Sequence, residues 1–432
     1  MTVDPKIKRF ALSLGGILVL GFLVRIATGN GDFKVMLEAA KLVATHKSPY
    51  HVWIFVSEGN YDFYFYSPLW AMMLIPFSHL PNFIPNLLWL LANTWFLYRV
   101  WILLAEFTDP SVLTQKGKRW VLALCILMSV RYILYNFEMI QMTIFLLWGA
   151  LESLRFFRHN RYLAGGALLA LIINIKILPL VLIPWLIYRK EFKGAACTMC
   201  FSLMYLLIPA LFIGWQANLH LHSEWWKMIN PMNPEHLSES DPGLHSLTAL
   251  IPSLLTKSQG GLPYPRNLFN LEAATAASVL QGIRVLLILL TLAFLKWPPF
   301  IRARSGLHEL RELSYLFLLI PLIFPHQQKY AFFLALPAIF YLSYFIIRTL
   351  TAREAEGKTG PPALVMALFF LSFALMTLST DSVIGRSLNL VTQHYKTITY
   401  GALLLLVLLA ACSPEHFEKQ VIADNDTKMI KS

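Results

Sequence analysis

The stretch between the first two strongly apolar segments decides how this chain is interpreted. It reads GNGDFKVMLEAAKLVATHKSPYHVW from Gly29 to Trp53 and EGNYDFYFYSPLW from Glu58 to Trp70. A lone carboxylate, Asp32, follows the first membrane-length segment by a few residues. The chain then turns at Ser48-Pro49-Tyr50 and re-enters an apolar region through a run of aromatic residues. The pattern predicts a first external loop, 29–67, that holds a carboxylate at the rim of a membrane.

A short amphipathic segment occupies the first half of this loop. From Phe33 to Thr45, polar residues recur at helical spacing and apolar residues fill the other side. This predicts a helix that lies in the membrane interface, with its apolar face in lipid or against the helix bundle. Asp32 stands at the start of the helix, where it can serve as an N-cap or as a general base. An anion near a helix N-terminus is expected to stay ionised.

Composition places the chain in a membrane. Of its 432 residues, 57% are hydrophobic and 14% are charged, whereas soluble domains carry about 25% charged residues. Apolar segments of membrane length recur from end to end, which predicts an all-α polytopic membrane protein with about 12 transmembrane helices. We expect one integral membrane domain over 1–412, a large external loop over 216–271 and a polar cytoplasmic tail over 413–432.

Loop charge predicts the orientation. The net charge of +12 is expected from Lys and Arg in cytoplasmic loops, so it does not indicate a nucleic acid partner. The basic N-terminus is placed inside, and the loops 29–67 and 216–271 are placed on the external face of a plasma (inner) membrane. The helix count of two apolar stretches stays open. The prolines of 66–107 invite a break into two helices, because proline interrupts helical hydrogen bonding, and Lys176 and Pro179 interrupt 161–188 in a similar way.

The motifs of the first half resemble those of glycosyltransferase family 87, which contains polyprenyl-phosphate-mannose-dependent mannosyltransferases of the GT-C type. The resemblance is carried by Asp32, Ala39-Ala40, Ser48-Pro49-Tyr50, Tyr64-Phe65-Tyr66-Ser67-Pro68-Leu69-Trp70, Pro76 with Leu80-Pro81, Glu138-Met-Ile-Gln141-Met-Thr and Asn174-Ile-Lys176-Ile-Leu-Pro179. It covers residues 1–190 and then continues only as helix spacing and the turn His326-Gln327-Gln328-Lys329. The chain departs from the family at Glu138, where Gly is common, and at Met142-Thr143, where Asn is common.

The resemblance implies a GT-C-like helical bundle and an inverting transfer of a hexose, mannose in that family, from a polyprenyl-phosphate-linked donor to a lipid or glycan acceptor. The acceptor hydroxyl must lose a proton, and Asp32 is the candidate base. The leaving phosphate needs fixed cations. Candidates for phosphate or sugar contacts are Lys176, Arg131, Lys329, His326, Gln141, Tyr66, Asp62 and Arg386. Each also has an ordinary alternative, since basic side chains snorkel to headgroups and Asp residues cap turns.

Other interpretations stay open at this point. A polytopic transporter or lipid flippase also needs many spans and buried polar residues, although the related halves common in such proteins are not evident. A non-catalytic assembly partner is a third possibility. The spacing His220-x-His222-x-Glu224 permits a zinc site, but we expect no metal and no cofactor beyond the lipid-linked sugar as co-substrate. The sequence has no glycine-rich nucleotide-binding fingerprint.

Overall fold

The computed structural model describes residues 5–233, 236–237, 241–295, 300, 305–356, 363–415 and 417. It is 74% helical and has almost no sheet. The elements are α1 (Pro5–Ala27), α2 (Phe33–Ala44), β1 (Ile54–Ser57), β2 (Asn60–Asp62), α3 (Pro68–Ser78), α4 (Phe83–Ala105), α5 (Gln115–Glu138), α6 (Thr143–Arg158), α7 (Tyr162–Ile175), α8 (Leu182–Tyr188), α9 (Phe192–Leu207), α10 (Ala210–Ile213), α11 (Trp215–Ile229), α12 (Leu247–Leu255), α13 (Ala273–Leu295), α14 (Gly306–Ile323), α15 (Leu336–Glu356), α16 (Ala363–Phe373), α17 (Asp381–His394) and α18 (Thr397–Ala411).

The chain forms two compact units. The first contains residues 1–100, 134–180 and 196–229, and the second contains residues 101–133, 181–195 and 230–432.

Several helices suit a membrane by length and composition. In the described ranges, five helices are long and apolar enough to cross one: Phe83–Ala105, Gln115–Glu138, Phe192–Ile213, Ala273–Leu295 and Lys329–Thr351. A sixth crossing results if Ala363–Leu378 and Asp381–His394, which meet at 88°, form one broken span. The protein is therefore a helical membrane protein, while the number of about 12 spans stays a prediction. Most of the predicted tail, 413–432, lies outside the described residues.

The first unit contains α2, which packs on α3. Most apolar residues of α2 are buried in the protein, and its polar face carries an ion pair between Lys41 and Glu38 at 2.7 Å. Its predicted position in the membrane interface stays a prediction. A two-stranded antiparallel hairpin, β1–β2, follows, with Ile54 opposite Asp62. Sequence analysis did not predict this hairpin, although Glu58-Gly59 is a turn signal and Gly59 has a φ of +72°.

Both apolar stretches whose helix count the sequence left open are broken. The stretch 66–107 divides into α3 and α4 around Pro81. With 11 residues, α3 is only about 16 Å long, too short to cross a bilayer core of about 30 Å. The stretch 161–188 divides at Lys176, where the backbone becomes extended, before a short 3₁₀ helix that contains Pro179.

The second unit contains α14, α15 and α18, which pack against one another. Two of its buried charged residues, Glu312 and Arg311, are hydrogen-bonded. Glu312 of α14 accepts hydrogen bonds from the Arg189 guanidinium (2.7 Å from Nε) and from Trp185 Nε1 at 3.1 Å. Arg311 Nε donates to the main-chain oxygen of Leu409 at 2.8 Å. These contacts meet the requirement that buried charges be neutralised or hydrogen-bonded.

Candidate active site

The backbone brings Asp32 against the turn that links α5 and α6. The main-chain nitrogen of Asp32 donates to the oxygen of Met139 at 2.9 Å. A Cβ atom at Gly31 would lie 2.7 Å from the same oxygen, so only glycine permits this close approach. In the facing turn, Ile140 has a φ of +51°, a left-handed backbone conformation directly before Gln141. Two segments distant in sequence are thus fixed side by side.

Gln141 connects this turn to the carboxylate. Its Nε2 donates to Oδ2 of Asp32, and its Oε1 accepts from the hydroxyl of Tyr66 at 3.2 Å. Its main-chain oxygen accepts from Trp89 Nε1 at 3.2 Å and from Asn93 Nδ2 at 3.1 Å. Because the side-chain amide is bonded at both ends and the backbone is held from α4, the position of the Asp32 carboxylate is well determined.

Lys176 and Asp62 complete a group of charges in the first unit. Lys176 follows the last residue of α7, and its Nζ lies 5.3 Å from the centre of the Tyr66 ring. Asp62 ends β2 and accepts a hydrogen bond from the nitrogen of Phe63 at 2.7 Å. Both charges act on Asp32, Asp62 repelling its negative charge and Lys176 attracting it. Two carboxylates and one ammonium therefore lie within electrostatic range of one another.

The protonation of Asp32 follows from this setting. Burial, with a smaller contribution from Asp62, raises the pKa of Asp32 from 3.8 to about 7, against the opposing effects of Gln141 and Lys176. The expectation of a permanently ionised carboxylate at a helix N-terminus therefore does not hold. Among the described residues, the Asp32 side chain makes no capping hydrogen bond to α2. Burial and the nearby carboxylates raise the pKa of Tyr66, so its hydroxyl stays protonated and donates.

A second layer of aromatic residues supports Tyr66. The hydroxyl of Tyr50 donates to the main-chain oxygen of Tyr66 at 2.8 Å, and the hydroxyl of Tyr64 donates to the main-chain oxygen of Ser67 at 2.8 Å. The Tyr64 ring lies 5.8 Å from Tyr66 and 5.7 Å from Tyr50, measured between ring centres. These residues belong to the motif runs of the sequence, where their role as a supporting wall could not be predicted.

Sequence reasoning missed the role of Glu224 and Trp225 on α11. Glu224 entered only as a possible zinc ligand with His220 and His222. In the structure Ser48 Oγ donates to Glu224, and Trp225 Nε1 donates to the main-chain oxygen of Phe65 at 3.2 Å. Within the residues that the structure describes, no group of three or more His, Cys, Asp or Glu side chains is arranged to hold a metal ion.

The remaining candidate residues lie in the second unit. The guanidinium of Arg131 donates to the oxygen of Met376 at 2.7 Å and to Ser379 Oγ at 2.8 Å, so it is anchored to a short π-helical segment after α16. His326 has a φ of +56°, and its ring centre lies 4.5 Å from that of His236. Lys329 begins a 3₁₀ helix, and Arg386 is exposed on α17.

Of the nine site residues proposed from sequence, the structure therefore groups five in the first unit. These are Asp32, Asp62, Tyr66, Gln141 and Lys176, which are joined by hydrogen bonds, by a ring contact or by their charges. Arg131, His326, Lys329 and Arg386 belong to the other unit.

Comparison with known proteins decides the family. A model of glycosyltransferase family 87 matches residues 64–325, more than half of the chain. The chain belongs to glycosyltransferase family 87. It is accordingly a membrane enzyme that uses a sugar donor and an acceptor. No curated protein and no solved structure matches the chain significantly.

The matched region only partly coincides with the resemblance found from motifs. It includes Tyr66, Arg131, Gln141 and Lys176, and it extends well beyond residue 190. Asp32 and Asp62 precede the match, so their part in the site depends on their geometry alone.

Proposed function

We propose that this family 87 member transfers a hexose, by family resemblance mannose, from a polyprenyl-phosphate-linked donor to a hydroxyl of a lipid or glycan acceptor. One observation carries the proposal. A carboxylate with a pKa near 7 is held by Gln141 among Tyr66, Asp62 and Lys176, in a loop next to apolar helices. A base with this pKa is half ionised at neutral pH and is well matched to proton abstraction from a sugar or lipid hydroxyl.

The reaction proposed is a single displacement with inversion. The acceptor hydroxyl gives its proton to Asp32 while the hydroxyl oxygen forms a bond to the anomeric carbon of the donor sugar. The bond from that carbon to the phosphate oxygen breaks, and polyprenyl phosphate leaves with the electron pair. Gln141 donates to one carboxylate oxygen of Asp32, which orients the other oxygen toward the acceptor.

The developing phosphate charge requires fixed cations. Lys176 is the first candidate because it stands at the break after α7 beside Tyr66. Arg131, Lys329, His326 and Arg386 are proposed for further phosphate or sugar contacts, and Asp62 for a sugar hydroxyl. The donor is a co-substrate, and the proposal assigns no step to a metal ion or other cofactor. We place the site on the external face of the inner membrane.

The experiment is a transfer assay on the full chain in lipid nanodiscs. A polyprenyl phosphomannose, radiolabelled in the sugar, is supplied with a membrane lipid extract as the source of acceptors. The proposal predicts a labelled glycolipid and an equal amount of free polyprenyl phosphate. A transporter or flippase would leave the donor uncleaved in nanodiscs and move it between leaflets in liposomes, and that result would overturn the proposal. Donors that carry glucose or galactose test the choice of sugar.

A further inference from the structure

Helix α11, which belongs to the first unit, has one buried side. The buried residues Asn218, Leu221, Trp225 and Met228 recur at helical spacing along it. Glu224 lies next to this buried side with its side chain 20% exposed, and the ring of His220, one turn earlier, contacts it at 3.5 Å from the solvent side. The carboxylate of Glu224 is therefore mostly buried, where a charged group needs hydrogen-bond donors.

The donor to Glu224 comes from the first external loop. Ser48 Oγ donates to the Glu224 carboxylate and accepts from the main-chain nitrogen of Tyr50 at 3.2 Å. The Ser48 hydroxyl thus closes a local turn and ties it to α11. A hydrogen bond to a charged acceptor is stronger than one between neutral groups.

The neighbouring residue of α11 holds the other limb of the same loop. Trp225 Nε1 donates to the main-chain oxygen of Phe65 at 3.2 Å. Ser48 precedes the β1–β2 hairpin and Phe65 follows it. Two adjacent residues of α11 therefore fix the entry and the exit of the segment that carries Asp62.

From this clamp, hydrogen bonds lead to the proposed base. The hydroxyl of Tyr50 donates to the main-chain oxygen of Tyr66 at 2.8 Å, and the hydroxyl of Tyr66 donates to Gln141 at 3.2 Å. Gln141 then donates to Asp32. Each link joins residues of the first unit, and a shift at Ser48 is passed on through Tyr50 and Tyr66.

We propose that Glu224 is a positioning residue. It orders the Ser48–Tyr50 turn and thereby holds Tyr66 and Gln141 in the positions from which Gln141 orients the Asp32 carboxylate. The inference rests on the proposed function as far as catalysis is concerned. It does not make Glu224 a catalytic residue, because its carboxylate contacts the loop and not the Asp32 carboxylate.

The test uses Glu224→Ala, Glu224→Gln and Ser48→Ala in the full chain, with Glu38→Ala as a matched control. Glu38 is an acidic residue of the same unit whose ion pair with Lys41 is partly exposed. Hydrogen–deuterium exchange is measured over residues 48–67, together with kcat, KM and the thermal midpoint. Removing the clamp should speed exchange in 48–52 and 64–67 and lower kcat by about 10- to 100-fold, with KM within about threefold.

Three comparisons separate positioning from simple stability. Glu224→Gln, whose amide oxygen still accepts from Ser48, should restore most of kcat. Ser48→Ala removes the same bond from the other side, so it should match Glu224→Ala, and the double variant should be no worse than either. Ser48→Ala also serves in place of Glu224→Ala if the Glu224→Ala variant does not fold. Glu38→Ala should behave as wild type.

The inference is overturned if exchange in 48–67 is unchanged in Glu224→Ala or Ser48→Ala, or if exchange rises while kcat stays at the wild-type value. It is also overturned if Glu224→Gln is as poor as Glu224→Ala, since the hydrogen bond would then not be responsible. A wild-type protein that transfers no sugar would instead remove the proposed function. In that case the exchange data would still decide whether Glu224 orders the loop.

Discussion

At the scale of single residues, the environment of Asp32 sets the pH range in which this proposed base is ionised. Burial and the charge of Asp62 favour its neutral form, while the Gln141 amide and Lys176 favour the ionised form. The balance places the pKa of Asp32 at about 7. Only the ionised form accepts a proton from the acceptor hydroxyl.

The rate of transfer should therefore depend on pH. Below about pH 7 the protonated fraction of Asp32 grows, so kcat/KM should fall tenfold per pH unit. A pH–rate profile at subsaturating acceptor measures this limb, because it reports the pKa of the free enzyme. A profile that stays flat down to pH 5 would show that a different group takes the proton. Lys176→Met should move the limb to higher pH, because the attraction that favours the ionised form is lost.

Stability should depend on the same ionisation. The folded carboxyl has a raised pKa, from 3.8 to about 7, so folding is favoured when Asp32 is protonated and loses free energy as pH rises through this window. The cost is about 1.4 kcal/mol per unit of pKa difference. Asp32→Asn removes the charge and keeps an acceptor for Gln141. Its thermal midpoint should exceed that of wild type at pH 8.5, and the difference should shrink as pH falls and vanish only below about pH 3.8. Equal midpoints at pH 8.5 would contradict the raised pKa.

The residues of this site were partly predictable. Asp32, Gln141 and Lys176 stand out in the sequence because each interrupts or borders an apolar run, where a polar group requires a reason. The role of Glu224 was not predictable, since its partner Ser48 is 176 positions away and its spacing to His220 resembles a metal motif. The signal available in the sequence is the helical spacing of Leu221, Trp225 and Met228, which lie on the buried side of α11.

At the scale of elements, the contact between the start of α2 and the α5–α6 turn positions Asp32, the proposed base. Gly31 makes this contact possible, since a Cβ atom there would lie 2.7 Å from the Met139 oxygen and 2.9 Å from its carbon. Both are backbone atoms, which cannot rotate away as the end of a flexible side chain can. The position of Asp32 therefore depends on the lack of a side chain at the residue before it.

Gly31→Ala should displace Asp32 from Gln141. We expect a loss of transfer of about 10²-fold from misplacement and destabilisation of about 1–3 kcal/mol from overpacking. The matched control is Gly21→Ala in α1, where an added Cβ meets nothing within 4 Å. Transfer assays and thermal unfolding of both variants test the contact. Equal activity of Gly31→Ala and Gly21→Ala would refute it.

The element boundaries show which signals work in a membrane chain. The breaks near Pro81 and Lys176 had a signal in the sequence, because proline and charge are costly inside an apolar helix, although the helix count stayed open. The β1–β2 hairpin was not predicted, because the aromatic residues that flank its strands resemble the apolar return of the loop. Trp53 precedes β1 and Phe63 follows β2, with their ring centres 4.0 Å apart. Alternation in strands this short is a weak signal.

At the scale of the whole molecule, the orientation in the membrane decides which leaflet supplies the donor. The positive-inside rule predicts that the loop 29–67 lies outside and that the turn between α6 and α7 lies inside. Helical character and membrane location could be predicted from composition, because backbone groups in lipid must be bonded within the segment. The division of the described chain into two compact units had no signal in the sequence, since contacts between segments far apart define it.

Cysteine labelling tests this orientation. Glu58 is exposed in the hairpin turn, and His159 is exposed after α6. In a Cys200→Ser background, which removes the exposed native cysteine, a membrane-impermeant maleimide added to intact cells should label Glu58→Cys. It should label His159→Cys only after the cells are permeabilised. The reverse pattern would place the site on the cytoplasmic side and exclude a donor from the external leaflet.

The most direct measurement of the central claim is the rate of mannose transfer by Asp32→Asn compared with wild type and with Glu38→Gln, each in nanodiscs and each shown to be folded by its thermal midpoint. Loss of a general base predicts a fall in kcat of about 10²–10⁴-fold for Asp32→Asn and no change for Glu38→Gln. If folded Asp32→Asn retains transfer within about threefold of wild type, Asp32 is not the base.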